Sequence, residues 1–369
     1  MLFLIAALVW LLLYLFVWRY RETTDDAYVA GDQVIVAPLV GGTVVAVLAD
    51  DTDRVAAGQV VARLDDADAR VALADAEGAL AQAVRETQQR IESAATADAA
   101  IAQREAEEAR ASAEYARRAP LIAAHAGAQE EVANARAQMR AARAALEQAR
   151  RQAAAAHALV DGVDVVHAPA VQQARARYAD AWLALARTVV VAPVDGYAMQ
   201  RQMQVGQTVQ AGQRLLVVVP LDRVWVDANF KEVQLEHVRL GQPVELTADL
   251  YGGDVVYHGH VQGLSAGTGA SSALLPPQNA SGNWIKIVQR VPVRVALDPG
   301  ELHRYPLRIG LSIYAKIDTH ERDGAVLAAA PRDAAIASTA VYGEQVRDAD
   351  AAADAVIARH LAAAPPAPR

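Results

Sequence analysis

The residues of this 369-residue chain that could do chemistry are few and scattered. His258 and His260 sit two apart in a strand-like stretch, so both imidazoles share one face and could begin a metal site. No further ligand is spaced to complete it, and packed or exposed histidines are the plainer reading. Asp50, Asp51 and Asp53, and again Asp65, Asp66 and Asp68, look like openings of calcium loops. Neither continues to the loop glycine and terminal glutamate, so turn and helix-start roles fit them better. Ser271 and Ser272 lie in a Gly/Ser-rich stretch without the G-x-S-x-G context of a nucleophile. No glycine pattern for a nucleotide phosphate is present. The chain has no cysteine, which removes disulfides, thiolate metal sites and a cysteine nucleophile. No catalytic set, metal or cofactor is expected.

One covalent chemistry is suggested by a repeat. Ala37-Pro38, Gly41, Val55, Gly58 and Gln59, with an apolar strand to Leu64, recur as Ala192-Pro193, Gly196, Val209, Gly212 and Gln213, with an apolar strand to Val219. Pro38 and Gly41 match at an offset of 155 and Val55, Gly58 and Gln59 at 154, so one residue is lost between. The motif resembles the two halves of lipoyl and biotinyl carrier domains. Those domains need a lysine amine on the hairpin joining the halves. Here the only lysines are Lys231, Lys286 and Lys316, all outside the motif, so the scaffold is kept and the attachment chemistry is gone. Neither half can bury a core alone, so they must pack together, which brings residues 65 and 188 close.

The intervening residues 66–187 must therefore go out and come back. They are rich in Ala, Arg, Glu and Gln, which favour helix. Leu73, Leu80, Val84 and Ile91 lie at intervals of 7, 4 and 7; Val132, Met139, Leu146, Ala153 and Val160 at sevens; Val171, Tyr178, Trp182 and Leu185 at 7, 4 and 3. These are coiled-coil spacings. The pattern predicts an outgoing helix over 66–118 started by Asp65 or Asp66, a tip at 119–128 marked by Pro120 and Gly127, and a return over 129–187 broken at 160–168. Each arm would be about 75–80 Å long. A three-helix bundle is the competing reading, but nothing else in the chain reads as a third helix.

Residues 2–18 form an uninterrupted apolar run followed by Arg19 and Arg21. Its length is at the short end of what spans a bilayer, and no signal-cleavage site follows. A transmembrane anchor is predicted over 1–19. Arg19 and Arg21 alone would keep the rest of the chain in the cytoplasm; a short cytoplasmic leader upstream of Met1 would reconcile them with the opposite orientation. Residues 20–65 read as a polar linker (21–26), a barrel strand and the first lipoyl-like half, and 188–220 as the second half. Residues 221–320 contain several alternating strands and one short helix, Lys231 to Arg239, and suggest a small antiparallel β-barrel. The tail 321–369, rich in Ala, Asp and Pro, is predicted to be disordered. The net charge of −8 argues against nucleic acid as a partner.

The combination of anchor, split lipoyl-like domain, inserted hairpin and barrel resembles the HlyD superfamily of membrane fusion proteins. Strings such as TDDAYVAGDQ (24–33), WVDANFKE (225–232), LLPPQNASGNWIKIVQRVPVRV (274–295) and YPLRIGLS (305–312) are similar to the EmrA-type multidrug-efflux adaptors. The resemblance covers residues 20–320. It implies a mixed α and β, elongated, non-enzymatic adaptor, single-pass in the inner membrane with its bulk in the periplasm. The implied partners are a major-facilitator drug/proton exporter, a TolC-type outer-membrane channel and further copies of itself. In many TolC-dependent adaptors the hairpin tip carries Arg, three residues, Leu, six residues, Ser. Arg117 and Leu121 fit, whereas Ala128 replaces the serine. The loop at 265–283, with Gly267, Thr268, Gly269, Leu274, Leu275 and Asn279 and followed by Trp284, is expected to contact exporter or substrate. An adaptor of a type I protein-secretion system, paired with an ABC transporter, and a membrane scaffold without a channel are the alternatives.

Overall fold

A computed structural model describes residues 18–123, 129–160, 162, 164–269, 271, 288–328, 331, 333 and 335–362. The predicted anchor, but for its last two residues, lies outside them; among the described residues no helix is long and apolar enough to cross a membrane.

Along the chain come β1 (Arg21–Ala30), β2 (Val34–Val36), β3 (Gly42–Val47), β4 (Arg54–Val55) and β5 (Val60–Leu64). Three helices follow: α1 (Ala67–Ala123), α2 (Gln129–His157) and α3 (Pro169–Ala186). Next are β6 (Val189–Val191), β7 (Gly196–Met199), β8 (Thr208–Val209), β9 (Leu216–Val219), β10 (Trp225–Lys231), β11 (Pro243–Ala248), β12 (Val256–Leu264) and β13 (Arg290–Leu297). The remainder is α4 (Pro299–Arg304), β14 (Ser312–Asp318) and α5 (Val341–Ala362). Two compact units result, one of residues 1–64 with 189–341 and one of 65–188 with 342–369.

In the first unit, six strands close a barrel in the order β1-β10-β13-β12-β11-β14. Alternation along each strand puts Val226, Ala228 and Phe230 of β10, Val293 and Val295 of β13, and Ile313, Ala315 and Ile317 of β14 into one core. Closure leaves no free sheet edge to aggregate. Residues 21–26, expected as a linker, are instead the first half of β1, with Arg21 opposite Asp318 and Thr24 opposite Ala315. Their polarity misleads because Thr24 is buried with its hydroxyl donating to the Asn229 carbonyl at 2.9 Å. The expected helix after β10 is a 3-10 segment, Glu232–His237.

The repeat builds two four-stranded sheets, β2-β9-β7-β4 and β6-β5-β3-β8. Exchanging the halves turns one order into the other: β2 for β6, β9 for β5, β7 for β3 and β4 for β8. Each sheet therefore contains strands from both halves, and a single core takes Val36, Val44, Val55, Val61 and Leu64 from one and Val190, Ala198, Val209, Leu216 and Val218 from the other. The equivalence reaches single hydrogen bonds. Ala56 N–H donates to the Gln59 side-chain oxygen at 2.9 Å, and Gln210 N–H to that of Gln213 at 3.0 Å. β5 pairs with β6, Arg63 opposite Val189, so the chain leaves and re-enters this sandwich at adjacent strands.

In the second unit α1 runs against α2 and then α3. The seam on α1 is Leu80, Val84, Thr87 and Ala94; on the return it is Val132, Ala135, Leu146, Ala149 and Ala153, then Val171, Ala174 and Tyr178. Asp65 accepts from the Ala67 N–H at 3.1 Å and starts α1. Two expectations need correction. α1 does not stop before Pro120 but carries it inside and runs to Ala123; a proline this near the end removes one ladder hydrogen bond where few remain. The tail is not wholly disordered either, because Val341–Ala362 is a helix whose Ala353, Val356 and Ile357 pack on Leu80, Val84, Val171 and Tyr178. It supplies the third helix that composition concealed: alanine and aspartate read as disorder, yet alanines at helical spacing make a buried stripe.

Candidate functional sites

The hairpin tip is the first candidate. Arg117 lies in the last turns of α1 with its guanidinium exposed and hydrogen-bonded to Glu114. Arg118 shares the same carboxylate and lies 3.8 Å from Glu131 of α2, linking the arms. Bonds from Arg117 and then Arg118 hold the Glu114 carboxyl below the usual range. The Arg117 charge is thus already partnered within its own helix, and a docking partner would compete with Glu114 for it. Leu121 belongs to the final turn of α1, while Ala128 and the Leu121 side chain lie outside the described residues.

The second candidate begins beyond β12. Ser265 N–H bonds to the Pro292 carbonyl at 2.9 Å and Gly269 N–H to the Arg290 carbonyl at 3.0 Å. Ser271 turns back on Thr268, its hydroxyl donating to that carbonyl at 2.7 Å. A Cβ added at Gly267 would stand 2.7 Å from the Ser271 hydroxyl, which would have to turn away. Gly267, Thr268 and Gly269 are therefore gathered against β13, while Leu274, Leu275, Asn279 and Trp284 lie outside the described residues.

Beside this turn is a polar cluster that single-residue reasoning did not select. Arg290 pairs with Asp26, Asn229 donates to Asp26 at 3.3 Å, and Asp26 N–H bonds to the Thr24 hydroxyl at 3.1 Å. Pairing skips between Thr24 and Ala27 in β1, which lets Asp26 reach both partners. All three strings TDDAYVAGDQ, WVDANFKE and QRVPVRV contribute, so their co-occurrence was the available signal.

The remaining candidates resolve into local structure. His258 donates through Nδ1 to Glu301 at 2.7 Å, and its backbone N–H meets the other carboxylate oxygen at 2.6 Å. This hydrogen bond raises the His258 pKa. Asp50 and Asp51 hold Arg201, at 2.7 Å to its Nε and 2.9 Å to its backbone N–H. Among the described residues no three potential ligands converge on a metal position.

Comparison with known proteins gives the context. Residues 67–188 match the family description "EMRA, alpha-helical hairpin domain", and residues 223–313 an "AAEA-like beta-barrel domain". The chain is 45% identical over 321 residues to the multidrug export protein EmrA of Escherichia coli (strain K12), covering 87% of this chain and 82% of that protein. It is 47% identical over 297 residues to the fatty acid resistance protein FarA of Neisseria gonorrhoeae, covering 80% and 75%. A solved structure of the periplasmic adaptor protein EmrA aligns with a TM-score of 0.41 and 17% identity, over 81% of this chain and 99% of that one. With a repeat-built sandwich, an inserted hairpin and a closed barrel in one chain, and identity at this level across most of its length, the protein belongs to the EmrA family of multidrug-efflux membrane fusion adaptors.

Proposed function

We propose that this chain is the adaptor subunit of a tripartite pump, joining a major-facilitator drug/proton exporter in the inner membrane to a TolC-type outer-membrane channel. The observation that carries it is the hairpin itself. α1 has 57 residues, a rise of about 85 Å, and among the described residues nothing in it gathers reactive groups. A helix pair of that length serves reach and helix-to-helix docking. The two sheets that exchange under swapping of the halves support a lipoyl-like sandwich without its lysine. The apolar run at 2–18 supports single-pass anchoring, with the bulk in the periplasm. Copies would assemble side by side, hairpins lining a conduit.

In this reading the tip, with Arg117, Leu121 and Ala128, docks the channel, and the loop opening at Gly267–Gly269 faces exporter or substrate. Leu121→Asp puts a charge at an apolar tip position. It is expected to abolish cross-linking to the channel and return drug resistance to the level of a strain lacking the adaptor. Unchanged cross-linking and resistance would contradict tip docking. Multidrug export and fatty acid resistance, the activities named for the relatives, favour small amphipathic compounds as cargo over the protein cargo of type I secretion.

A further inference from the structure

Neither family description reaches past residue 313, and α5 lies beyond it. Its buried residues are Ala349, Ala353, Val356 and Ile357, spaced i, i+4, i+7 and i+8, so they form one stripe. The stripe lies in a cluster with Leu80 and Val84 of α1 and Val171, Ala174 and Tyr178 of α3. Charges flank it in matching order. Arg175 reaches Asp354 at 2.8 Å and Asp350 at 3.0 Å, two carboxylates one turn apart, and Arg359 reaches Glu77 at 3.0 Å. A single guanidinium bridging two successive turns fixes how far α5 can slide along the groove. Leu80, Val84 and Val171, which share this cluster with α5, are 0% exposed.

We propose that α5 is an intramolecular strap that fills the groove between α1 and α3 and keeps it from pairing with a second copy of this chain. Uncovered, the groove would be a continuous strip of Leu80, Val84, Val171 and Tyr178 with Glu77 and Arg175 at its margins, and an apolar strip on a helix pair self-associates. A second copy offers the matching stripe in its own α5 and in its own hairpin. By occupying the groove from within the chain, α5 leaves the other faces of the hairpin for contact between copies. The biological sense of this rests on side-by-side assembly of the adaptor; the competition for the groove does not.

The absence of cysteine makes the test direct. Full-length protein in detergent carrying Glu77→Cys and Arg359→Cys, treated with a short bis-maleimide, should give a cross-linked species of monomer mobility. Species cross-linked only between copies, or none, would overturn the proposal. The second arm is Ala353→Glu with Ile357→Glu, which charges the strap and leaves the groove intact. Sedimentation should show self-association at about tenfold lower protein concentration, a free-energy change of about 1.4 kcal/mol. Should that variant fail to fold, Asp350→Lys with Asp354→Lys repels Arg175 without touching the core. It should shift association the same way, and adding Arg175→Glu should reverse the shift. Lower thermal stability with unchanged association would make α5 a buttress only and overturn the strap. Failure of the wild-type chain to capture an exporter or channel would sink the adaptor reading and leave these outcomes legible.

Discussion

At Gly196 a Cβ would stand 2.6 Å from the Val219 carbonyl oxygen, closer than atoms of that kind approach. At Gly41, the equivalent position of the other half, the nearest atom would be the Val209 carbonyl oxygen at 3.4 Å. Gly196→Ala is therefore expected to destabilise by roughly 1–3 kcal/mol, as overpacking does, and Gly41→Ala by clearly less. Chemical denaturation measures both, and equal losses would contradict the asymmetry. The repeat announces both glycines but not which one is crowded, because crowding depends on strand register. A second asymmetry lies at Thr52, which has φ +78° where its counterpart Gly206 has φ +85°.

His258 shows how a suggestive pair becomes structural. The hydrogen bond to Glu301 comes first among the causes that raise its pKa. A histidine whose folded pKa is raised contributes stability fully below its unfolded value, roughly 6.5. That contribution is lost as pH rises through the folded value. The side chain is 66% exposed, so screening keeps the gain below about 1 kcal/mol. Glu301→Gln should lower stability more at pH 5.5 than near pH 9, and move the His258 titration downward by NMR. A midpoint indifferent to Glu301→Gln would show that the contact is not formed in solution.

Among the elements, the hairpin was the most legible and the tail the least. The large seam residues Leu80, Val84, Leu146 and Val171 stand at heptad intervals and announce the helices from the sequence alone. The alternate seam positions Ala94, Ala135, Ala149 and Ala174 are equally buried, but alanine also covers the exposed faces, so periodicity cannot pick them out. The same ambiguity hid α5. Polar strand residues hid the start of β1, whose Thr24 and Asp26 side chains are also held by β10 and β13, more than two hundred residues later. Leu80 is fully buried between α1, α3 and α5, so Leu80→Ala should cost about 2–5 kcal/mol. Val71, on the same helix, is 63% exposed, and Val71→Ala should stay within roughly 0.5 kcal/mol. Thermal unfolding of the two variants decides whether the packed groove exists as described.

For the whole molecule, fold and kinship agree on a membrane fusion adaptor of multidrug efflux. Of the groups that look catalytic in sequence, Asp50 is paired with Arg201, Asp65 starts α1 and His258 is bonded to Glu301. What is left is a closed barrel, a two-sheet sandwich and a long helix pair, the parts of an adaptor, in a chain 45% identical over 321 residues to a multidrug export protein. The specific partners could be named from the sequence only through family resemblance, because the one charge singled out at the tip, Arg117, is bonded to its own neighbour Glu114 and marks no partner by itself. The most direct test is mild cross-linking in cells, followed by co-purification of the tagged full-length chain from membranes and mass spectrometry. The adaptor account predicts recovery of a multi-spanning major-facilitator exporter and a TolC-type outer-membrane channel together. Recovery of an ABC transporter in place of the exporter, or of no channel at all, would contradict it.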